Sequence, residues 1–197
     1  MKTGSIVLLV IVLGVALFAF SSVGTFNDFV SQDEAVTRSW ANVETQYQRR
    51  SDLIPNLVNT VRGAAEFESE TLEAVTSARS RATSISISAA DLGDSAKMEE
   101  FMAAQQGLGS SLGRLLAISE NYPELRATES FRDLQVQLEG TENRINQARR
   151  DYNGAVSSYN TRVRKFPGSI IAGMTGFSTK VPFEAQSGAE KAPVVEF

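Results

Sequence analysis

The feature that most constrains the fold is a helical repeat of apolar residues on both sides of a short polar stretch near residue 50. Apolar side chains recur three or four positions apart in both runs, which is the spacing of one buried helix face. The two stripes must be buried against other helices, so the pattern predicts an all-α protein. The stripe residues are Val36, Trp40, Val43 and Tyr47 in the first run, and Ile54, Leu57, Val58 and Val61 in the second.

The segment between the two runs, residues 49–55, predicts a reversal of the chain between two helices. Asp52 can cap the second helix by accepting a hydrogen bond from a first-turn backbone N–H group. Pro55 then falls in the first turn, where its missing N–H group would have no partner in any case. The alternative is one long helix kinked at Pro55, because the apolar repeat keeps its phase. We favour the reversal, since an interior proline costs about 3 kcal/mol.

Two further amphipathic helices follow along the chain. Asp94 or Ser95 can cap the first of them, and Pro123 suits the first position of the second. Glycines at 107, 109 and 113 predict close approach of a neighbouring backbone, with contact to a ligand as the sharper alternative. The predicted helices cover residues 26–50, 52–82, a stretch beginning near 94, and 123–166.

An uncharged stretch over residues 3–27 has the length needed to cross a bilayer. About 20 apolar residues span the hydrocarbon core, and the segment from Ser5 to Gly24 just reaches this length. Its apolar centre, from Ile6 to Phe20, would also suit a signal peptide that is cleaved near Gly24. We predict a retained transmembrane anchor. Charges at its two ends weakly favour a cytoplasmic N-terminus.

The composition excludes most catalytic and ligand-binding chemistry. Histidine and cysteine are absent, which removes imidazole bases, thiolate nucleophiles, disulfides and ordinary zinc sites. The sequence has no phosphate-binding glycine loop and no nucleophile elbow. Its net charge is −4, and its basic residues are interspersed with acids, so nothing indicates nucleic-acid binding. We therefore predict a protein that is not an enzyme and has no cofactor, no metal site and no small-molecule substrate.

A repeat of aromatic residues supplies candidate interaction positions. Tyr152, Tyr159 and Phe166 lie seven positions apart on one helix face, with asparagines beside the two tyrosines. Such a face forms either a buried seam or a peptide-binding groove, and the seam is the simpler interpretation. An arginine pair before the reversal would suit the negative end of a helix dipole. The candidate interaction or structural residues are Trp40, Arg49, Arg50, Asp52, Pro55, Tyr152, Tyr159 and Phe166.

The run R-R-S-D-L-I-P-N-L-V-N-T-V-R-G at residues 49–63 resembles the signature of the LemA family, membrane-anchored helical proteins of bacteria. Three later segments agree in content and order: N-Y-P-E-L-R-A at 121–127, T-E-N-R-I-N-Q-A-R-R-D-Y-N at 141–153, and Y-N-T-R-V-R-K-F-P at 159–167. The resemblance implies a four-helix bundle behind one transmembrane helix, with a cytoplasmic body and a poorly defined activity. It also implies that some relatives accompany membrane metalloproteases and that others take part in forming internal membranes.

The predicted architecture is an N-terminal transmembrane helix (1–25), an antiparallel up-and-down four-helix bundle (26–167) and an irregular C-terminal tail (168–197). The tail should pack on the bundle through Ile170, Ile171, Phe177 and Phe183, with a mobile stretch around residues 186–192. If the reversal is right, about 14 residues of the last helix extend beyond the start of the first helix, because both helices rise by the same length per residue. The bundle would then tilt over the membrane on a hinge at residues 21–25, which brings residues 170–177 near the lipid headgroups.

The predicted function is that of a non-enzymatic scaffold at the bacterial inner membrane. The N-terminal helix would bind the lipid bilayer, and the bundle would bind copies of itself or a membrane-protein partner. Two alternatives stay open, namely an adaptor of a membrane metalloprotease and a secreted bundle released by signal-peptide cleavage.

Overall fold

The computed structural model describes residues 2–63 and 68–184. All regular structure in these residues is helical, and no strand is present among them. The all-α prediction is therefore confirmed. The elements in chain order are α1 (Lys2–Arg62), α2 (Ser69–Ser84), a 3₁₀ turn (Ala89–Gly93), α3 (Ser95–Ser119), α4 (Pro123–Ala127), α5 (Glu129–Arg164) and α6 (Gly168–Thr175).

The predicted reversal at residues 49–55 is wrong. Helix α1 continues from Lys2 to Arg62 with Pro55 inside it, so the chain adopts the alternative of one long helix. Asp52 is therefore not a cap. It lies inside α1, and its carboxylate accepts a hydrogen bond of 2.7 Å from the side chain of Gln48 one turn earlier. The predicted helices 26–50 and 52–82 consequently have the wrong boundaries.

A contact from α2 explains why α1 tolerates the proline. Because Pro55 has no N–H group, the carbonyl of Ser51 four residues earlier loses its partner within the helix. The side chain of Arg79 donates to this carbonyl through Nε at 2.9 Å. Ser51 is buried, where an unpaired carbonyl would cost about 1–3 kcal/mol. The replacement donor comes from another helix, 28 positions along the chain.

The long helices pack as antiparallel neighbours. Helix α1 packs along α5, and α2 packs on both α1 and α3. An ion pair joins Asp28 near one end of the shared interface to Arg162, with 2.5 Å between Oδ2 and Nε. Towards the other end, Arg50 pairs with Glu142 at 3.1 Å. Residue numbers rise along α1 while they fall along α5, so the two helices run in opposite directions.

The predicted hinge at residues 21–25 is also wrong, because α1 is helical through this stretch. The premise of the hinge was a last helix much longer than its neighbour. In the structure α5 has 36 residues, and α1 from Thr25, the first buried residue among its described side chains, to Arg62 has nearly the same length. The two helices therefore match end to end.

The N-terminal part of α1 extends away from the packed helices. Its aliphatic side chains from position 6 to position 13 are 56–66 % exposed, and Phe20 is 83 % exposed. Among the described residues, no helix is both long enough and apolar enough to cross a membrane. The predicted span at residues 1–25 is thus helical from Lys2 onward, but its crossing of a membrane is not supported by this finding.

Two apolar clusters fill the body, with a polar layer between them. Along α1, α2, α3 and α5, the clusters meet at buried or half-buried polar side chains. We call these side chains the polar layer: Arg50, Ser51, Arg79, Gln105 and Glu142. The aromatic cluster includes Phe29, Trp40, Tyr47, Phe101, Tyr152, Tyr159 and Phe183. The aliphatic cluster includes Ile54, Leu57, Val61, Leu72, Val75, Leu108, Leu112, Leu115, Leu134 and Leu138, together with Phe131.

The predicted starts of the later helices are confirmed. Asp94 caps α3, because its carboxylate accepts from the backbone N–H groups of Ala96 and Lys97 at 3.0 and 3.2 Å. Pro123 occupies the first turn of α4. The predicted helix 123–166 is nevertheless two helices, since the extended backbone of Thr128 separates α4 from α5.

The predicted irregular tail contains a short helix, α6, which is a correction to the sequence analysis. A Cβ atom at Gly168 would lie 2.5 Å from the carbonyl oxygen of Arg162 and 3.3 Å from Cζ of Phe29. Glycine therefore permits α6 to pack closely against α1 and α5. Ile171 and Phe183 are buried as predicted, and Ile170 is 44 % exposed. The predicted mobile stretch at residues 186–192 lies outside the described residues.

Candidate functional site

Trp40 of α1 is the centre of the aromatic cluster. Its indole Nε1 donates to the carbonyl of Ile87 at 3.1 Å. Its ring stacks on Phe183 and makes edge contacts with Phe101 and Tyr152. Trp40 therefore fastens two non-helical segments to the body, namely the loop after α2 and the segment after α6. It is a buried structural residue and does not form part of an open groove.

The segment after α6, residues 177–184, is held along α5 by two asparagines. Asn160 accepts from the backbone N–H group of Lys180 and donates to its carbonyl, both at 2.8 Å. Asn153 makes the same pair of bonds with Phe183, also at 2.8 Å. Each side chain thus bonds to both backbone groups of one residue, as a neighbouring β-strand would. We call Asn153 and Asn160 the asparagine ladder.

The two tyrosines beside the ladder are buried, which confirms the aromatic seam at these positions. The hydroxyl of Tyr152 donates to the carbonyl of Val181 at 2.9 Å. Burial raises the pKa of Tyr152 well above its usual value, and burial and then the charge of Asp33 raise the pKa of Tyr159 to about 12. Both hydroxyls stay protonated at neutral pH and serve as structural groups.

Phe166 does not belong to the seam, although its spacing predicts that it should. Helix α5 ends at Arg164, so the heptad phase does not continue to Phe166, which is 80 % exposed. Ile170 and Met174 of α6 are also exposed. We call Phe166, Ile170 and Met174 the α6 apolar surface.

Arg50 joins three helices at the polar layer. Its Nη1 atom donates to Glu142 of α5 at 3.1 Å. Its Nη2 atom donates to the side-chain and backbone oxygens of Gln105 on α3, at 2.7 and 3.1 Å. Gln105 in turn donates to the carbonyl of Ala82 at the end of α2 at 3.2 Å. The predicted role of Arg49 and Arg50 at a helix end is wrong, because α1 does not end there, and Arg49 is simply exposed.

An open cleft of about 740 Å³ lies between α3 and α5 beside the polar layer. Arg50, Gln105 and Glu142 contribute polar atoms to it, and acidic side chains outnumber basic ones around it. This mixture of apolar and polar groups suits a peptide chain better than a phosphate. The other lining residues include Tyr47, Glu99, Met102, Ala103, Gly109, Ser110, Leu112, Gly113, Leu116, Leu138, Glu139, Arg149 and Glu184.

The glycines of α3 do not mark close approach of another backbone, contrary to the prediction. A Cβ atom at Gly107 or Gly113 would meet nothing within 4 Å, and one at Gly109 would meet only Nη1 of Arg50, at 3.8 Å. Gly109 and Gly113 instead line the cleft. Their missing side chains leave room inside it.

The chemistry that this arrangement supports is binding. In residues 2–63 and 68–184, no group of three or more acidic side chains could hold a metal ion. Burial raises the pKa of Tyr47 beside the cleft, so its hydroxyl stays protonated. At the cleft, Arg50 bonds to Gln105 and Glu142, and Glu139 accepts from Gln135 on the same helix.

Sequence reasoning missed Arg79, Gln105 and Glu142. One signal was present, because Gln105 occupies a core position of the apolar stripe of α3 between Phe101 and Leu108. A polar residue in a core position indicates a buried hydrogen-bond network. The asparagines of the ladder stand beside the tyrosines in the sequence, but their backbone partners lie 20 and 30 positions away.

Comparison with known proteins gives a consistent result. The sequence model of the LemA family matches residues 39–197. The chain is 28 % identical over 200 residues to magnetosome protein MamQ 2 of Paramagnetospirillum magneticum, covering 93 % of this chain and 73 % of the relative. It is 26 % identical over 206 residues to magnetosome protein MamQ of Magnetospirillum gryphiswaldense, covering 96 % and 75 %. It is 23 % identical over 165 residues to Protein LemA of Metamycoplasma hominis, covering 84 % and 71 %.

Proposed function

Because the chain belongs to the LemA family, we propose that it is a non-enzymatic interaction protein anchored in the bacterial inner membrane. The N-terminal part of α1 inserts into the membrane. The body is the four-helix bundle that the resemblance implies, built from α1 beyond Thr25 together with α2, α3 and α5, and it acts as a scaffold on the cytoplasmic side. In this proposal, neighbouring copies of the protein also contact one another.

The observation that carries the proposal is the exposed apolar surface of α1. No charged residue occurs between residues 3 and 27, and the aliphatic side chains at 6–13 are more than half exposed. Removing apolar surface from water contributes about 25 cal/mol per Å², so transfer of this segment into lipid is favourable. The same helix forms the core of the body, which supports an anchor and a scaffold joined without a linker.

The end of the body nearest this segment also suits a membrane surface. The α6 apolar surface is exposed there, and Phe177 next to it contacts Phe26 of α1 with 5.7 Å between ring centroids. The exposed basic residues Arg164 and Lys165 flank it. Apolar side chains beside basic ones are typical of helices that lie among anionic headgroups.

The non-enzymatic part of the proposal is supported by the relatives and by the composition. Two relatives are named magnetosome proteins and another is named Protein LemA, and none of these names describes a reaction. The chain has no histidine or cysteine for acid–base or nucleophilic catalysis.

Membrane insertion is tested by alkaline carbonate extraction of membranes that contain the full chain. The wild-type protein should stay in the pellet, and Leu9→Asp with Val12→Asp should release it. Val136→Asp is the matched control, since Val136 is an equally exposed aliphatic residue on the body. It should stay in the pellet. Release of the wild-type protein would contradict insertion, and an intact mass beginning at Thr25 would support the secreted alternative.

Scaffolding is tested by crosslinking in intact membranes, with mass-spectrometric identification of the neighbours. Links between copies of this chain support the scaffold, whereas links confined to a membrane protease favour the adaptor. The side of the membrane is tested with Ser158→Cys, an exposed position in a chain without native cysteines. A membrane-impermeant maleimide should label it only after the cells are opened.

A further inference from the structure

The cleft between α3 and α5 is a groove whose two walls are helices. The α3 wall runs from Glu99 to Leu116, about 25 Å at the helical rise. The α5 wall runs from Leu138 to Arg149, about 17 Å. Each of these helices has its main packing partner elsewhere, since α3 packs along α2 and α5 packs along α1. An elongated occupant can therefore lie between them and contact both.

The α3 wall has small side chains along its length. A Cβ atom at Gly113 would meet nothing within 4 Å, and one at Gly109 would meet only Nη1 of Arg50. Within residues 2–63 and 68–184, no backbone of another element comes that close to either position. Helix axes approach more closely where the residues in contact are small, so this wall can receive a second helix at short distance. The small residues that line the cleft on this wall are Ala103, Gly109, Ser110 and Gly113.

The hydrogen-bonding groups of the cleft favour a helix over an extended chain. Extended backbone needs a partner for each buried N–H and C=O group, and residues 177–183 obtain several of theirs from the asparagine ladder. The carboxamides that line the cleft belong to Gln105 and Gln106. Gln105 is already bonded to Arg50 and to a backbone carbonyl at the end of α2. A helix satisfies its own backbone and needs mainly side-chain contacts from such a groove.

The cleft carries an excess of negative charge, because four glutamates and two arginines line it. Arg50 is paired with Glu142 at 3.1 Å, and Arg149 lies over the ring of Phe183 with 4.6 Å to its centroid. Opposite charges across an interface select the partner and guide its approach. An occupant with basic side chains therefore complements this cleft. The lining carboxylates that form no ion pair within residues 2–63 and 68–184 are those of Glu99, Glu139 and Glu184.

We propose that the cleft is a docking site for a basic amphipathic helix of a partner protein. The apolar face of that helix packs against Gly109, Gly113 and Leu116, and its lysine or arginine side chains pair with Glu99 and Glu139. This site rests on the proposed role as an interaction protein and gives that role a partner of defined chemistry. Its occupation requires neither membrane insertion nor contact between copies, so the two are tested separately.

The first test measures the binding of a fluorescent helical peptide by anisotropy. The peptide contains alanine, leucine and lysine and has about 17 residues, which matches the length of the α3 wall. A matched peptide has glutamate in place of every lysine. The full chain is held in nanodiscs of zwitterionic lipid, with empty nanodiscs as the blank, because basic amphipathic helices also bind anionic lipid. The lysine peptide should bind at least about tenfold more tightly than the glutamate peptide. Equal binding of the two, or no binding of the lysine peptide, would overturn the proposal.

The second test compares two charge reversals at neighbouring positions of α3. Glu99 lines the cleft, whereas Glu100 is exposed and does not line it. Glu99→Lys should weaken binding of the lysine peptide at least about threefold relative to Glu100→Lys, because it replaces an attraction by a repulsion. About 0.15 M salt is used, since it screens charges more than about 8 Å apart. The two variants have the same net charge, so equal affinities would overturn the proposed pairing.

The third test fills the cleft without disturbing the fold. Gly113 lines the cleft and Gly107 does not, and a Cβ atom at either position would meet nothing within 4 Å. Leucine favours a helix over glycine, so both Gly113→Leu and Gly107→Leu should stay folded, which circular dichroism checks. Binding of the lysine peptide should fall at least about tenfold in Gly113→Leu and stay within about twofold in Gly107→Leu.

Equal binding by the two leucine variants would place the peptide outside the cleft and overturn the proposal. Crosslinking between copies in the same variants identifies a different occupant. If Gly113→Leu removes links between copies and leaves peptide binding unchanged, the cleft binds a second copy of this chain, which also overturns the proposal.

Discussion

The aromatic and aliphatic halves of the body are held together by different kinds of contact. In the aromatic half, side chains bond to the backbone of segments outside the long helices, as Trp40 does with Ile87 and Tyr152 with Val181. In the aliphatic half, leucine, isoleucine and valine side chains of neighbouring helices fill a common core. The contacts of the aromatic half depend on the direction of hydrogen bonds, and those of the aliphatic half depend mainly on the volume of the side chains.

The two kinds of contact differ because the two halves contain different kinds of chain segment. A loop or an extended segment has no internal hydrogen-bond ladder, so its backbone groups need partners from elsewhere. The aromatic half supplies those partners through an indole, a phenol and two carboxamides. Helices satisfy their own backbone, so the aliphatic half needs only close packing. Substitutions should therefore have unequal effects in the two halves.

The largest effect is expected from a pair of core substitutions. Trp40→Ala should lower the free energy of unfolding by about 3–5 kcal/mol, because it leaves a large cavity and an unpaired carbonyl at Ile87. Leu57→Met in the aliphatic half keeps the volume and should cost less than about 1.5 kcal/mol. Urea unfolding of the full chain in detergent measures both. Comparable losses of unfolding free energy would mean that the two halves do not differ in how strictly they require their native side chains.

A double-mutant cycle tests the junction of the two halves at the polar layer. Arg79→Met should cost about 1–3 kcal/mol, because the buried carbonyl of Ser51 loses its donor. Pro55→Ala restores an N–H group within α1, so the same arginine substitution should cost at least about 1 kcal/mol less in that background. The free energies of unfolding of the four proteins give the coupling. If Arg79→Met lowers the free energy of unfolding equally in both backgrounds, Arg79 does not compensate for the N–H group that Pro55 lacks.

A smaller effect is expected from the ladder. Asn153→Ala removes two hydrogen bonds to Phe183 and should lower the free energy of unfolding by about 1–2 kcal/mol. Amide exchange at residues 180–183 should accelerate before that of α5. Asn143→Ala, on the surface of the same helix, should stay within about 0.5 kcal/mol of the wild type. If the two variants behave alike, the segment does not depend on the ladder.

A further effect appears only at alkaline pH and is absent at neutral pH. The folded-state pKa of Tyr159 is about 12, and a free tyrosine has a pKa of about 10. The folded state therefore retains the proton more tightly. Its contribution to stability is complete below about pH 10 and is lost as the pH rises towards about 12. Unfolding curves across this range should show the loss, and Tyr159→Phe should reduce it. An unchanged slope in the variant would exclude Tyr159 as the source.

The sequence allowed correct prediction of features that are decided locally. The apolar stripes, the cap at Asp94 and the proline at the start of α4 depend on neighbours a few positions away. The path of the chain at Pro55 does not, because Arg79 supplies the missing hydrogen bond from another helix. The predicted hinge is wrong for the same reason, because it follows from helix lengths that assume a reversal at Pro55.

The candidate site divides in the same way. The spacing of Tyr152 and Tyr159 predicted their burial correctly, but it could not show that α5 ends before Phe166. The hydrogen bonds of the polar layer were not predicted, although the position of Gln105 in the apolar stripe of α3 indicated a buried polar group. Its partners, Arg50 of α1 and Ala82 of α2, follow only from the way the helices meet.

The continuity of α1 has a mechanical consequence. A single helix from Lys2 to Arg62 transmits rotation and translation from the N-terminal segment to the body without a joint. Each residue inserted between Phe20 and Thr25 would turn the body by about 100° around the axis of α1 and move it by about 1.5 Å. The number of residues in α1 before the body therefore determines the direction in which α6 and the cleft face around the helix axis.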